Sequence, residues 1–172
     1  MVNLIVICGH TGVGKTTIGK MISKKLNYVH IKGSEVAEEI KENVGKIWPY
    51  EFRKRLYEKM IEKAKPFLKN NESVILDAVF DLEEFRYKAR RLAKKFNANF
   101  ILVRVICDEK IAKKRIKKRY KENPNIPHLK IHNLRKKSFQ PIKETHFVIN
   151  NSYSLDILKR NVEKLIFFIS KL

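Results

Sequence analysis

The chain has 172 residues, 44% of them hydrophobic, which is enough for one domain with a hydrophobic core. No apolar run approaches the ~20 residues of a membrane span, and no basic region precedes the first apolar run as in a signal peptide, so we expect a cytoplasmic protein without a membrane partner. The net charge of +20, from 38 Lys and Arg against 18 Asp and Glu, favours polyanionic partners such as nucleic acid or nucleotides. Lysines that serve only solubility are the alternative explanation.

Strand and helix patterns alternate along the chain, which predicts a single α/β domain, residues 1–172, with a mostly parallel sheet. The predicted strands are residues 2–8, 28–31, 73–76, 98–107 and 146–149. The predicted helices are residues 15–26, 35–46, 51–69, 82–96, 109–121, 129–139 and 155–172. Ser34 is predicted to cap the second helix.

The sequence GHTGVGKTT joins the first strand to the first helix and fits the phosphate-binding loop G-x-x-x-x-G-K-[ST]. Its glycines allow the backbone to approach a phosphate, its N–H groups form an anion-binding nest, and the positive end of the helix faces the same phosphates. Lys15 is expected to reach the β and γ phosphates, and the Thr16 hydroxyl to bind Mg²⁺. The predicted nucleotide-binding residues are Gly9, His10, Thr11, Gly12, Val13, Gly14, Lys15, Thr16 and Thr17.

Asp77 directly follows the apolar run VIL of the third strand. Ligands of open parallel sheets collect at the carboxyl ends of the strands, and a carboxylate there is suited to a second Mg²⁺-directed group. We therefore predict Asp77 as a catalytic and metal-binding residue. A helix cap or a loop aspartate is the alternative.

A basic run, KIAKKRIKKRYKENPN, extends from residue 110 to residue 125. Arg115 and Arg119 are four residues apart and share a helix face. Guanidinium groups clamp phosphoryl oxygens and neutralise charge that develops during transfer. We predict both arginines as catalytic, and the surrounding lysines as a solvated face.

The absence of two GTPase motifs from the sequence, together with the length of the chain, narrows the class of nucleotide-binding protein. The chain has no [NT]-K-x-D guanine-reading motif and no D-x-x-G after Asp77, which excludes an ordinary GTPase switch. It is also too short for an AAA-type motor with its helical lid domain. A small phosphoryl-transfer enzyme remains.

The order of these features resembles small P-loop kinases of the polynucleotide-kinase, zeta-toxin and seryl-tRNA-kinase group, which are AAA domain-like ATP-binding kinases. The similarity covers a phosphate loop, a strand ending in Asp77, RYKARRLA, another strand, and RIKKR. It implies a P-loop NTPase fold with three α/β/α layers, a five-stranded parallel sheet, and a lid of about residues 110–127 that carries Arg115 and Arg119. It also implies that the protein uses ATP with Mg²⁺. Arg86 stands where related kinases often carry an arginine, and the segment NIPHLKIHNLRKKSFQP resembles the stretch that follows the lid in seryl-tRNA kinases.

The residues that would bind the phosphoryl acceptor, which we call the acceptor half of the site, depart from the pattern of that family. After the second strand these kinases carry an Asp and, three residues on, an Arg, which activate and hold the acceptor. Here Ser34 and Ala37 stand at those positions, and the Asp-x-[Thr/Asn] pattern reads Asp77-Ala78-Val79. A loose transition state needs positioning more than strong deprotonation, so these changes put the acceptor in question rather than the kinase reaction.

The candidates for contact with the acceptor are Ser34, Glu35, Arg53 and Arg86, and the candidate bases are Glu35, Asp77 and Asp81. The aromatic and basic residues between 48 and 57 either stack on a nucleotide or form core and solvated surface. The sequence favours an ATP-dependent kinase acting on a nucleic-acid or tRNA-linked hydroxyl. A nucleoside, nucleotide or small-metabolite kinase is the alternative, and a non-catalytic ATP- or RNA-binding module is the alternative of another class.

Overall fold

The sheet of this protein consists of five short strands, and helices connect them. The computed structural model describes residues 1–40, 48–122 and 128–172. The strands are β1 (Asn3–Cys8), β2 (Val29–Lys32), β3 (Val74–Asp77), β4 (Asn99–Ile106) and β5 (Phe147–Asn150). The helices are α1 (Lys15–Leu26), α2 (Gly33–Ile40), α3 (Tyr50–Lys69), α4 (Glu83–Lys95), α5 (Glu109–Glu122), α6 (His128–Ser138) and α7 (Leu155–Ile169).

All strand pairs in the sheet are parallel, and the strand order is β2-β3-β1-β4-β5. All six residues of β1 are buried, as expected for an apolar strand covered on both faces. The register places Ile7 beside Asp77 and Cys8 beside Arg104. The carboxyl ends of β1 and β3 therefore meet at one edge, where the glycine-rich loop begins.

Two hydrophobic clusters lie on opposite faces of the sheet. One contains buried residues of α3 and α4, such as Tyr57, Met60 and Phe85. The other contains buried residues of α1 and α7, such as Ile18 and Leu158. The predicted fold class, a three-layer α/β domain with a five-stranded parallel sheet, is confirmed. No helix in the described ranges is both long and apolar enough to cross a membrane.

Local signals set the ends of two helices. Asn27 ends α1 in the left-handed conformation, with φ 55°, and its N–H donates to the Ser23 carbonyl, as C-terminal caps do. The Ser154 hydroxyl caps α7 by accepting from the Ile157 N–H. Ser34 was predicted to cap α2, but this helix begins at Gly33, so Ser34 lies in its first turn. The predicted end of that helix and the predicted end of the lid fall on residues 41–47 and 123–127, outside the described residues.

Candidate active site

The glycine-rich loop leaves β1 and enters α1 in a conformation that glycine permits. Gly9 has φ +141°, and a Cβ added there would lie 2.3 Å from the Val105 carbonyl oxygen. Gly14, at the start of α1, has φ +95°, in a region that L side chains rarely adopt. The Ile18 N–H donates to the Gly14 carbonyl, so the N–H groups of the preceding turn are left for another acceptor. The loop is therefore shaped as an anion cradle.

Lys15 is held inside this loop. Its Nζ donates to the His10 carbonyl oxygen over 2.9 Å, which folds the side chain back across the loop. Burial lowers the pKa of Lys15, the negative charge of Asp77 opposes that shift, and the positive charge of Arg119 adds to it. A buried ammonium group with a neutral carbonyl as its hydrogen-bond partner is prepared to bind an anion.

Thr16 and Asp77 meet at the carboxyl edge of the sheet. The Thr16 hydroxyl donates to Asp77 Oδ2 over 2.7 Å, and His30 Nε2 lies 3.3 Å from the same oxygen. Asp77 is only 4% exposed, so these contacts fix the orientation of its carboxylate. His30 carries no signal in the sequence beyond being a polar residue in the short second strand.

Helix α5 lies directly against the glycine-rich loop. A Cβ added at Gly12 would lie 2.7 Å from the Ala112 carbonyl oxygen and 2.8 Å from a carbon of the Ile116 side chain. The predicted pair on this helix, Arg115 and Arg119, therefore stands beside the loop. Their surroundings differ, however, because Arg115 is half-buried and Arg119 is exposed.

Arg115 contacts the segment that follows β5. Its Nη2 donates to the Asn151 carbonyl oxygen over 3.2 Å, and its Nη1 donates to the Cys107 sulfur over 3.4 Å. The Asn151 side chain donates in turn to the Val13 carbonyl over 2.8 Å. Asn151 thus joins the lid arginine to the loop. The sequence analysis missed this residue, because an Asn after a strand is also typical of ordinary turns.

Helix α6 packs on the other side of the loop. His132 is 3% exposed, and its Nδ1 lies 2.9 Å from the Thr11 carbonyl oxygen. A carbonyl only accepts, so the proton is assigned to Nδ1. The rings of Phe139 and His132 have their centroids 4.9 and 6.1 Å from that of His10. His132 therefore contacts the glycine-rich loop directly.

His10 is neutral in this contact. Burial, together with the nearby positive charges of Lys15, Arg104 and Lys136, lowers the pKa of His10 to about 4. Among the described residues, no hydrogen-bond partner reaches His10 Nδ1, which is buried. The ring therefore behaves as a packing group in the site at neutral pH.

Asp81 is the centre of a second polar cluster, on the α3 side of the site. It is fully buried, and its Oδ2 accepts from Arg53 Nη1 over 2.6 Å and from the Ser138 hydroxyl over 2.8 Å. Arg135 Nη1 lies 3.7 Å from the same oxygen, and Arg135 also donates to the Trp48 carbonyl. The cluster holds two guanidinium groups against one carboxylate. Asp81, suggested as a base, is enclosed in this ion pair and is placed as a structural residue.

Arg86 does not have the environment expected of an acceptor contact. It is fully buried. Its Nη1 donates to the carbonyls of Phe80 and Asp81 over 2.9 and 3.2 Å, and its Nη2 to those of Pro141 and Gln140 over 3.1 and 3.3 Å. Arg86 therefore joins the β3–α4 loop to the segment after α6, and the structure assigns it a positioning role.

The remaining acceptor candidates lie at the start of α2. Ser34 and Glu35 are both exposed, and Glu35 pairs with Lys32 over 2.6 Å. In the described part of the chain, no group of three or more His, Cys, Asp or Glu side chains could hold a metal. Of the predicted site residues, Lys15, Thr16, Asp77 and Arg115 thus lie at or beside the glycine-rich loop, whereas Ser34, Glu35, Arg53 and Arg86 make their contacts elsewhere.

The chain is similar to known proteins in its family and in its fold. The family described as AAA domain matches residues 4–142, whereas no curated protein matches the sequence. A gluconokinase from Sinorhizobium meliloti 1021 is 15% identical, with 98% of this chain and 94% of that chain covered and a TM-score of 0.73. The Mycobacterium tuberculosis APS kinase CysC in complex with AMPPNP and APS is 14% identical, with 98% of each chain covered and a TM-score of 0.74.

A third similar structure is Chaetomium thermophilum Kti12 in complex with ADP-AlF3, 16% identical, with 94% of this chain and 96% of that chain covered and a TM-score of 0.71. At such identities the likeness shows the fold, which is that of P-loop kinases. The broader resemblance seen in the sequence is confirmed, and the narrower one to the polynucleotide-kinase group stays a prediction.

Proposed function

This chain belongs to the AAA domain family, and we propose that it is an ATP-dependent kinase, which transfers the γ-phosphoryl group of ATP to a hydroxyl acceptor. The observation that carries the proposal is the convergence of Lys15, Thr16 and Asp77 on one loop, with Arg119 acting on the charge of Lys15. Positioned cations and backbone N–H groups are what phosphoryl transfer requires.

ATP fits the loop because its phosphates match the free N–H groups and the buried ammonium of Lys15. We propose that Lys15 exchanges the His10 carbonyl for phosphate oxygens when ATP binds. Arg115, held at the Asn151 carbonyl, and Arg119, whose charge acts on Lys15, would stabilise negative charge on the phosphates. In the transfer, the acceptor oxygen forms a bond to the γ phosphorus and its hydroxyl proton passes to water, while the bond from the γ phosphorus to the β–γ bridging oxygen breaks and ADP leaves.

The donor set at Asp77 suits Mg²⁺. The Thr16 hydroxyl and the Asp77 carboxylate are hard oxygen ligands within 2.7 Å of each other, and Mg²⁺ sites commonly combine one or two such groups with phosphates and waters. Mg²⁺ bound there would neutralise charge on the phosphates. His30 would keep the carboxylate of Asp77 in place.

We place the acceptor between α2, α3 and α6. Ser34 and Glu35 lie exposed on α2, and the net charge of +20 favours an acceptor with an anionic group. A nucleic-acid or tRNA-linked hydroxyl satisfies this requirement. A small metabolite is the second candidate, since two similar structures are named gluconokinase and APS kinase.

The test offers γ-labelled ATP and Mg²⁺ with cellular small RNA and, separately, with a small-metabolite extract. Label in RNA that is absent with Lys15→Ala establishes a nucleic-acid kinase. Label in small molecules alone establishes the second candidate. If ATP binds and no label moves to either, the kinase proposal is wrong and a non-catalytic nucleotide-binding module takes its place.

A further inference from the structure

A basic groove runs between the outer faces of α3 and α4, on a different surface from the glycine-rich loop. It has a volume of about 1080 Å³, and two carboxylates and six cationic side chains line it. The cationic side chains are Lys65, Lys88, Arg90, Arg91, Lys94 and Lys95. We call this surface the α3–α4 groove.

Three of these cations have no carboxylate partner. The two glutamates of the groove are engaged, Glu58 by Lys88 over 2.8 Å and Glu62 by Lys65, and Arg90 pairs with Glu144. Throughout residues 1–40, 48–122 and 128–172, no ion-pair partner lies at Arg91, Lys94 or Lys95, all of which are exposed. The free charge of the groove is therefore positive and concentrated on the last two turns of α4.

An exposed aromatic ring stands in line with these cations. Tyr87 is 53% exposed, and Arg91 and Lys95 follow it at intervals of four residues, on the same face of the helix. At 1.5 Å per residue the row from Tyr87 to Lys95 is about 12 Å long. Leu92, which is 4% exposed, forms part of an apolar floor. A ring beside a row of cations is the arrangement with which proteins bind single-stranded nucleic acid.

We propose that the α3–α4 groove binds single-stranded nucleic acid, with a base stacked on Tyr87 and phosphates at Arg91, Lys94 and Lys95. Tyr87 favours nucleic acid over an acidic peptide, because every base offers a face for stacking. Binding there requires neither ATP nor phosphoryl transfer, so the inference goes beyond the proposed kinase activity.

The groove also leads toward the acceptor side of the site. Beyond the end of the groove that is nearer the first turns of α3 and α4, the Tyr50 hydroxyl of α3 donates to Glu84 of α4 over 2.9 Å. The loop before α4 touches the start of the glycine-rich loop, where the Gly9 N–H donates to the Val79 carbonyl. A strand lying in the groove thus has one end near the acceptor half.

The experiment measures fluorescence anisotropy of labelled RNA and DNA oligonucleotides of about 15 nucleotides, near the upper limit of single-strand site sizes, across a salt series without ATP. We expect binding whose affinity falls steeply with salt. The double variant Arg91→Ala, Lys95→Ala should raise the Kd at least tenfold and reduce the salt slope by about 1.4, since each lost phosphate contact contributes about 0.7.

The matched control is Arg160→Ala, Lys164→Ala. These two exposed residues have the same types and the same spacing, but they lie on α7, which packs on the opposite face of the sheet. This control should bind like the wild type. Tyr87→Ala should weaken binding about fivefold or more, whereas Tyr87→Phe, which keeps the ring, should not.

An equal loss of oligonucleotide affinity in the two double variants would overturn the proposal, because binding would then depend on the overall positive charge and not on the α3–α4 groove. An unaltered Kd in Tyr87→Ala, or stronger binding of poly-glutamate than of either oligonucleotide, would also overturn it. Lys15→Ala protein should bind oligonucleotide normally, so failure of the kinase proposal and failure of the groove proposal are seen separately. Comparison of the Kd values for the RNA and DNA oligonucleotides identifies which nucleic acid the groove prefers.

Discussion

The Thr16 hydroxyl donates to Asp77 Oδ2 over 2.7 Å, which joins the first turn of α1 to the end of β3. The two residues are far apart in the sequence, and parallel pairing of β1 with β3 brings them together. His30 touches the same carboxylate oxygen from β2. Three adjacent elements therefore define the position of the proposed metal-binding carboxylate.

Thr16→Val should raise the Mg²⁺ concentration needed for half-maximal turnover roughly tenfold or more, as loss of groups around a metal commonly does. Valine has a similar shape to threonine but lacks the hydroxyl ligand. Thr16→Ser keeps the hydroxyl and should retain the wild-type Mg²⁺ requirement. The control is Thr145→Val, at an exposed position before β5, which should leave the Mg²⁺ requirement unchanged. Equal requirements in the two valine variants would remove Thr16 from the metal site.

Lys15→Ala should lower turnover by about 10²–10³-fold or more, the range found when a group that stabilises charge in a transition state is lost. The fold should persist, because the only hydrogen bond that Lys15 Nζ makes among the described residues is to the His10 carbonyl. The measurement is ADP release together with circular dichroism. Lys24→Ala, on the exposed surface of α1, is the control. Unchanged turnover in Lys15→Ala would contradict the assignment of the phosphate-binding loop.

Arg115 and Arg119 should affect different kinetic parameters. Arg115 is fixed at Asn151 and Cys107, so Arg115→Ala should raise the KM for ATP several-fold with a smaller change in kcat. Arg119 is exposed and acts on Lys15 through charge, so Arg119→Ala should mainly lower kcat, as loss of a transition-state interaction does. Lys118→Ala, at another exposed position on α5, should change neither. The same effect from both arginine variants would refute this division.

The fold was predictable because its signals are local. The alternating strand and helix patterns identified every element of the sheet, and the motif of the loop identified Lys15 and Thr16 before any contact was visible. Element ends moved by one to three residues, as at α2, which begins at Gly33 instead of residue 35, and at α7, which ends at Ile169 instead of residue 172. Such shifts are ordinary at helix ends.

The acceptor half was less predictable because its contacts are non-local. Asp81 pairs with Arg53 and Arg135, which come from helices far away in the sequence. Arg86 was predicted from the family resemblance as an acceptor contact, whereas its guanidinium donates to the Phe80 and Pro141 carbonyls inside the fold. No spacing rule distinguishes such an arginine from one that faces a substrate.

Asp81→Ala should destabilise the fold by about 3–5 kcal/mol, because it leaves Arg53 and Arg135 buried without their carboxylate. For a chain of this size the thermal midpoint should fall by roughly 10 °C. Asp81→Asn, which still accepts hydrogen bonds, should cost less. The control, Asp156→Ala, removes an aspartate whose side chain is 84% exposed and should leave the midpoint unchanged. A small effect of Asp81→Ala in differential scanning calorimetry would contradict the role given to the cluster.

His10 should make the stability of the protein depend on pH below neutrality. The pKa of His10 is about 4 in the folded protein, against an ordinary value of 6.5, so between these values the unfolded chain binds a proton that the folded chain does not. The free energy of unfolding should therefore fall as the pH is lowered from about 6.5 to about 4.

Urea unfolding at several pH values measures this contribution of His10 to stability, with the wild type compared to His10→Gln. Glutamine does not titrate, so the variant should lose less stability over the same pH range, while the other ionisable groups remain in both proteins. His146→Gln removes a histidine far from the loop and should follow the wild type. If the wild type and His10→Gln lost equal stability between pH 6.5 and pH 4, His10 would not be held neutral by its burial against α6.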